Sequence, residues 1–227
     1  MGYATPEITG FGGAGTLIAP QFIGVGEGNT INLQSIKCPE SAYGKIFLQT
    51  FTGNGGTKKV YNWVRKRISG AFQFGWVDND SPDVFADDIN FKPGDGFWVL
   101  NDGAEGANTF QTSGQVLQED LAYLLGTDGA GVICANTTPI AVDLQDMTCP
   151  ESAYGKIFLQ TFTGNGGTKK VYNWVRKRIS GAFQFGWVDN DSPDTFVEGV
   201  TFQPGEAFCV NNGTGAPAKL QFTSPVK

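Results

Sequence analysis

Carboxylates are the side chains with which this chain could do chemistry, because it holds 22 Asp and Glu residues and no His. Reactions that need a histidine as base, proton shuttle or metal ligand are therefore excluded. Asp78, Asp80 and Asp83 are spaced like the first ligands of a calcium loop. That loop pattern fails because Pro82 stands at its fifth position and Asp83 at its sixth, where a glycine is required. We interpret the segment as a polar turn, and we predict no metal site and no cofactor.

A long internal repeat organises the chain. Residues 38–83 and 149–194 are identical at all 46 positions, with an offset of 111. The flanking residues align at the same offset but have diverged, as 91–99 against 202–210 shows. Gene conversion, selection on a shared surface and engineering each explain this unevenness, and the sequence alone leaves all three open.

Glycoside hydrolysis by a pair of carboxylates is the enzymatic reaction that the composition leaves open. No spacing between acids singles out such a pair in this chain. An active site duplicated inside a 46-residue hairpin block would also be unusual. We therefore predict that the protein is not an enzyme.

Alternation of residue types favours strands over helices in each repeat. In the first repeat the predicted strands cover residues 16–25, 30–36, 45–52, 58–65, 71–77, 96–100 and 108–112. Turns rich in Gly, Asn and Pro separate them, as in β-sandwiches and barrels. The pattern predicts an all-β protein of two tandem β-sandwich or barrel-like domains of about 110 residues, 1–114 and 115–227, related by internal duplication.

Residues 117–125 differ from the rest of the chain because their leucines recur with helical spacing. The matching stretch of the first repeat contains Pro6, which fits poorly inside a helix. We therefore predict a strand here, and a short linker helix is the alternative.

Aromatic and basic residues recur in each identical block and are the candidate binding residues. They are Tyr61, Trp63, Arg65, Lys66, Arg67 and Trp76 in the first block, and Tyr172, Trp174, Arg176, Lys177, Arg178 and Trp187 in the second. We expect most of the aromatic rings to fill the core. The alternative is a pair of flat platforms on which sugar rings stack, with avidity from the two copies.

Charge is segregated along the chain. Each identical block has a net charge of +2, whereas the rest of the chain carries −10. The cations can lie at solvated hairpin ends, where they hinder pairing of exposed strand edges with other chains. Alternatively, they form basic patches that contact the acidic flanks of the next molecule in a head-to-tail assembly. Binding of an anionic glycan or nucleic acid by residues 65–67 is a third alternative. The net charge of −6 argues against nucleic acid as a partner.

Two of the four cysteines occur in the second repeat alone. Cys134 and Cys209 stand where the first repeat has Ile18 and Trp98. The pair could form a disulfide across the sheets of that repeat, which would favour an oxidising compartment. Two buried free thiols are the alternative, since Cys is common in protein cores.

The order of these features resembles a module of secreted and surface proteins from environmental and gut bacteria. The resemblance is carried by the opening strand at 28–33, the hairpin turn at 53–56, Tyr61-Asn-Trp63, Gly75-Trp76 and the closing strand at 93–99. Such modules have no assigned catalytic activity, so the resemblance implies an extracellular, non-enzymatic repeat. The second repeat departs from the module at Ala207 and Cys209.

Together these features predict a non-enzymatic, self-assembling structural subunit of the surface, filament or virion type. Its partners would be copies of itself, joined head to tail, and terminal strands within residues 5–25 could pair with a neighbouring subunit. The alternative is a tandem carbohydrate- or ligand-binding module with aromatic platforms and a glycan partner. We expect an extracellular or cell-surface location, although the start of the chain has no signal-peptide pattern, and no membrane-spanning segment.

Overall fold

Strands make up the protein, and the computed structural model contains no helix of seven or more residues in the part of the chain that it describes. The structure describes residues 2–4, 7–8, 14–20, 22–23, 30–51, 57–92, 94–102, 108–109, 112–116, 120–127, 131–162 and 168–222. In chain order the strands are β1 (Gly2–Ala4), β2 (Glu7–Ile8), β3 (Ala14–Ile18), β4 (Phe22–Ile23), β5 (Ile31–Asn32), β6 (Ile46–Phe51), β7 (Thr57–Ile68), β8 (Ala71–Asp78), β9 (Asn90–Phe91), β10 (Phe97–Asn101), β11 (Asn108–Thr109), β12 (Thr112–Val116), β13 (Leu121–Leu125), β14 (Gly131–Ala135), β15 (Val142–Asp143), β16 (Met147–Thr148), β17 (Ile157–Phe162), β18 (Thr168–Ile179), β19 (Ala182–Asp189), β20 (Thr201–Phe202), β21 (Ala207–Asn212) and β22 (Ala218–Phe222). The all-β prediction is confirmed.

Short 3-10 turns are the helical segments of the described residues. They are Leu33–Ser35, Glu40–Ala42, Leu144–Asp146 and Glu151–Ala153. None of these segments has the length or the apolar character needed to cross a membrane.

Two five-stranded antiparallel sheets have the same strand order. The first is β3-β10-β6-β7-β8 and the second is β14-β21-β17-β18-β19. Their central hairpins also share one register, since Trp63 faces Trp76 across β7 and β8 as Trp174 faces Trp187 across β18 and β19. The three hairpin strands of each sheet lie in the identical blocks, so the same residues make the same pairs.

Each five-stranded sheet buries one face against smaller sheets. In the second repeat, Trp174 and Trp187 share a buried cluster with Leu220 and Phe222. The latter two belong to β22, the middle strand of the small sheet β13-β22-β16. Along β18 the buried residues alternate with half-buried ones because successive side chains of a strand point to opposite faces.

The strands near the start of the chain are paired within the chain itself. In the described part of residues 5–25, β2 pairs with β11, β3 with β10 and β4 with β12. Each of these strands is an end strand of its sheet and is paired along one edge, so pairing with a neighbouring subunit through residues 5–25 stays a prediction.

The segment 30–36 was expected to be one strand and is instead a two-residue strand followed by a turn. The side chain of Asn32 accepts a hydrogen bond from the backbone N–H of Gln34 at 2.8 Å. This local bond competes with extended pairing and starts the 3-10 turn Leu33–Ser35. In the second repeat Asp143 caps the matching turn. Farther along, Leu121–Leu125 is a strand as predicted, whereas residues 117–119 lie outside the described part.

The inner edge strands of the two sheets, β3 and β14, lie at a seam where the repeats meet. Ile18 forms an antiparallel bridge with Glu206, and the Ala19 N–H donates to the carbonyl of Gly205 at 3.1 Å. Buried side chains from both repeats form one cluster here: Leu17, Ala19, Ala135 and Ala207.

The contacts across this seam are reciprocal. The strand pairing makes Ile133 the counterpart of Leu17, and Ala207 the counterpart of Gly96. Leu17 shares the seam cluster with Ala207, while a Cβ atom on Gly96 would come within 1.9 Å of Ile133 Cγ2. Such an exchange of partners is what a two-fold axis produces, so an approximate two-fold rotation relates the repeats. The outer strands β8 and β19 are then equivalent edges, each at the end of its sheet away from the seam.

Two clefts flank the seam and differ in size. Trp98 and Phe162 line one cleft, of about 240 Å³, and Asp95 lines the other, of about 600 Å³. The Trp98 and Phe162 rings meet edge to face with centroids 6.4 Å apart. The residue at the position of Trp98 in the second repeat is Cys209, so an indole occupies space in one cleft that a thiol leaves open in the other.

Candidate interaction surface

The outer ends of β7 and β8 form a two-stranded ribbon that extends beyond the core. The first ribbon is residues 65–74, and the second is residues 176–185. In the first ribbon Ser69 and Gly70 turn the chain with φ angles of 50° and 85°. Two successive residues with positive φ make the tight hairpin turn whose twist matches that of the strands. Most residues of each ribbon are exposed.

The tryptophans of the candidate set lie in the core beneath the ribbons. Trp63 and Trp76 are 1% and 0% exposed, and their indole N–H groups donate to the carbonyls of Pro39 at 3.1 Å and Ile36 at 2.8 Å. The same burial applies to the other aromatic candidates Tyr61, Tyr172, Trp174 and Trp187. None of these six rings offers an exposed face to a sugar, so the platform hypothesis is wrong for them.

The basic candidate Arg65 is exposed and contacts two aromatic rings. Its guanidinium carbon is 4.5 Å from the ring centroid of Tyr43 and 4.5 Å from that of Phe72. The corresponding distances of Arg176 are 4.3 Å to Tyr154 and 4.5 Å to Phe183. Both arginines thus stack on rings that carry a partial negative charge on their faces.

Tyr43 is a site residue that the sequence analysis missed, whereas Phe72 is one of the aromatic residues that recur in the identical blocks but was not among the candidate binding residues. They are 41% and 61% exposed, which is high for aromatic side chains. The register could have revealed Phe72, because it faces Arg67 across the hairpin and therefore lies diagonal to Arg65. Tyr43 follows the 3-10 turn Glu40–Ala42, and no strand pattern connects it to the ribbon.

The other basic candidates are engaged by the ribbon and by a neighbouring loop. The Lys66 ammonium donates to the carbonyl of Pro82, and Arg67 Nε donates to the carbonyl of Gly70 at 3.4 Å. In the second ribbon Lys177 donates to Pro193 and Arg178 to Gly181. These bonds hold four of the six cations against the protein.

A glutamine side chain closes part of the outer edge of β8. Gln34 Oε1 accepts from the backbone N–H of Trp76 at 3.0 Å, while its Nε2 donates to the carbonyl of the same residue at 2.7 Å. At Trp76 the side-chain amide thereby makes the two backbone hydrogen bonds that a further strand would make. Gln145 does the same for Trp187 at 3.1 Å and 2.8 Å.

The rest of that edge, within the ribbon, is open. The N–H and C=O of one residue in a strand point to the same side, and those of its neighbours point to the other side. Because the backbone of Trp76 faces Gln34, the backbones of Phe74 and Phe72 face the same outward side. Neither has an outward backbone partner among the described residues. Phe185 and Phe183 form the equivalent open edge of β19.

The carboxylates after β8 form a clasp with a lysine of β7. Lys59 pairs with Asp78 at 3.0 Å and with Asp80 at 2.6 Å. The Asp80 backbone N–H, at 2.9 Å, and the Lys59 ammonium lower the pKa of Asp78 from its usual value. The hydrogen bonds from Lys59 to the two carboxylates raise the pKa of the lysine. These charges satisfy one another and hold the base of the hairpin, as Lys170 and its two carboxylates do in the second repeat.

The proposed disulfide between Cys134 and Cys209 is absent, and both thiols are free. Across β14 and β21, Cys134 faces Phe208 whereas Cys209 faces Ile133. These two adjacent pairs direct their side chains to opposite faces of the sheet, so the two sulfur atoms cannot be joined. Burial raises the pKa of Cys209 to about 11, and burial also raises the pKa of Cys134.

Comparison with known proteins gives no relative: no family model matches the chain, and no curated protein or solved structure does either. The function therefore has to be inferred from the ribbons, their open edges and their stacked arginines.

Proposed function

We propose that the protein is a non-enzymatic structural subunit that associates with copies of itself through the two ribbons. In this proposal the chain consists of two tandem β-sandwich units, 1–114 and 115–227, that arose by duplication. The equal strand order and register of the two five-stranded sheets support that organisation. The resemblance noted in the sequence supports an extracellular or cell-surface location, which antibody labelling of intact source cells would test.

The observation that carries the proposal is the open outer edge at Phe72 and Phe74. A strand edge with unpaired N–H and C=O groups is a template for pairing with another strand. The inner edges lie at the seam, and Gln34 closes the outer edge at Trp76. Pairing of this edge with the same edge of a second copy would extend the sheet and place exposed Phe72 rings of the two copies side by side.

The approximate two-fold relation determines the form of such an assembly. Each molecule has two equivalent open edges, and each can pair with an edge of another molecule. Contacts that do not close on themselves produce an open chain of subunits. Because each molecule has an equivalent ribbon at both ends, we expect each copy to be linked to the next by edge-to-edge pairing of two ribbons.

The proposal is tested by imaging the purified protein with negative-stain electron microscopy across a concentration series, with sedimentation velocity in parallel. We expect filaments from the native chain. Phe72→Pro removes one outward N–H and leaves the ladder to β7 intact, because edge positions tolerate proline. With only the second ribbon able to pair, we expect this variant to stop at dimers. Phe72→Pro/Phe183→Pro should remain monomeric.

Val84→Lys is the matched control, since Val84 is an exposed apolar residue outside the ribbons. It should assemble like the native chain, and circular dichroism should show the same strand content in every variant. Salt separates strand pairing from charge complementarity: about 1 M NaCl screens the repulsion between basic ribbons and should preserve or strengthen pairing. Dispersed particles at every concentration would reject self-assembly, and dissolution by salt would reject the strand-pairing mode.

A second candidate function is the binding of an anionic ligand. It is favoured by the exposed, ring-stacked guanidinium groups of Arg65 and Arg176 rather than by the buried tryptophans.

A further inference from the structure

Two aromatic rings contact the guanidinium of Arg65. Its carbon lies 4.5 Å from the ring centroids of both Tyr43 and Phe72. Cation–π contacts with the two rings restrict the motion of the group without using its N–H donors. Within the described part of the chain, no acceptor pairs with these donors. The arginine is therefore ordered in advance while its hydrogen bonds remain available to a ligand.

The arrangement occurs twice in each molecule with the same residues. Arg176 lies 4.3 Å from the Tyr154 centroid and 4.5 Å from that of Phe183. All three residues of each set belong to the identical blocks, whereas residues at the seam have diverged. Two equal sites on one molecule suit a ligand that presents the same group repeatedly, as a polymer does.

We propose that Arg65 and Arg176 are receptors for the carboxylate groups of an acidic polysaccharide. A planar guanidinium binds a carboxylate through two parallel hydrogen bonds. The exposed parts of the Phe72 and Tyr43 rings can receive the apolar face of a sugar ring, since these side chains are 61% and 41% exposed.

Binding should depend on the length of the polymer. A single exposed arginine–carboxylate pair is weak because water and salt screen it. Occupation of one site raises the effective concentration of ligand at the other, so a polymer that spans both gains avidity. A single uronic acid should therefore show no measurable binding. This ligand site goes beyond self-association and does not depend on it, since the strand edge is not used.

The test is isothermal titration of the full chain with polygalacturonate in about 20 mM salt, where surface electrostatics are little screened. The protein is kept below any concentration at which sedimentation detects assembly. Arg65→Gln/Arg176→Gln should lower the apparent affinity by about tenfold or more, and each single variant should lie between this and the native value. Lys45→Gln/Lys156→Gln removes the same charge from exposed lysines of the same blocks and should change affinity by less than about twofold.

A further variant distinguishes geometry from charge. Arg65→Lys/Arg176→Lys keeps the charge but loses the planar fork, and it should bind as weakly as the glutamine variant. In the native protein, the Nε–H resonances of Arg65 and Arg176 should shift when polygalacturonate is added. Circular dichroism confirms that each variant is folded before it is titrated.

Several outcomes would overturn the proposal. These are no binding of polygalacturonate by the native chain, an equal loss in Lys45→Gln/Lys156→Gln, and binding of polyglutamate as tight as that of the polysaccharide. The last result would assign the site to acidic proteins instead. Dispersed particles in the microscope together with an arginine-dependent titration would reject self-assembly and uphold the ligand site, so the two proposals fail separately.

Discussion

Replacement of Gln34 by alanine should weaken the fold more than any surface glutamine change, because its amide closes the edge of β8 at a buried residue. The substitution removes hydrogen bonds of 3.0 Å and 2.7 Å to the backbone of Trp76, which is 0% exposed. The Trp76 carbonyl retains the N–H of Ala86 at 2.9 Å. The Trp76 N–H keeps no partner and remains buried.

The magnitude follows from these two bonds. The bond to the Trp76 carbonyl contributes about 1 kcal/mol net to stability, and loss of the bond from the Trp76 N–H costs about 1–3 kcal/mol because it leaves a buried donor unpaired. Gln34→Ala should therefore lower the free energy of unfolding by about 2–4 kcal/mol. For a chain of this size that corresponds to a fall in Tm of about 5–15 °C. Gln145→Ala should cost about 1 kcal/mol more, since Gln145 Nε2 also donates to the Val197 carbonyl at 3.0 Å.

Differential scanning calorimetry and urea unfolding measure the effect. Gln73→Ala is the matched control, because Gln73 lies on the same strand but is exposed. Its Tm should stay within about 1 °C of the native value, as is usual for surface substitutions. If the Tm of Gln34→Ala equals that of Gln73→Ala, the side-chain amide of Gln34 does not stabilise the sheet edge.

Three further outcomes are expected. Gly15→Ala places a Cβ 1.9 Å from Trp98 Nε1 and should lower the free energy of unfolding in urea by about 1–3 kcal/mol. The double variant Gly15→Ala/Trp98→Ala should recover most of this lost stability. An equal loss of stability in both variants would refute the clash. Ellman's reagent should label Cys209 first and slowly, because the other three thiols are buried; faster labelling of another thiol would contradict their burial. Lys59→Gln should raise the pKa of Asp78, seen by carbon NMR. The pKa of Asp78 is lower in the folded than in the unfolded chain, so the ionised carboxylate stabilises the fold at pH values above the unfolded-state pKa. This stabilisation is lost as the pH falls through the folded-state pKa. Acid should therefore destabilise the native chain more than the Lys59→Gln variant.

The strands of the hairpins could be predicted from the sequence because their side chains alternate. Residues 58–65 and 71–77 were expected as strands and are part of β7 and β8. Their alternation reports burial directly, since every second side chain faces the core. The turn at Ser69 and Gly70 was predictable for a similar local reason, as Gly readily accepts a positive φ.

Features that depend on contacts between distant residues could not be predicted. The segment 30–36 has strand-like composition, yet the side chain of Asn32 bonds to the backbone two residues on and ends the strand. The same turn brings Gln34 to Trp76, which is 42 residues away in sequence. Likewise, the candidate set contained Arg65 but omitted Tyr43, because only the folded chain brings the 3-10 turn beside the ribbon.

The distribution of identical and diverged strands has a consequence for how the chain reaches its fold. Neighbouring units with the same sequence risk exchanging strands during folding. In this chain the identical strands β6, β7 and β8 are joined to one another by short hairpins, and such local pairs form before distant ones. Strands β10 and β21 must return over a long stretch of chain to pair with β6 and β17, and the returning strands differ in sequence although β6 and β17 are identical. Because β6 and β17 are identical, neither can distinguish β10 from β21. Sequence discrimination between the copies is therefore supplied by the diverged strands β3 and β14, which pair with the other edges of β10 and β21.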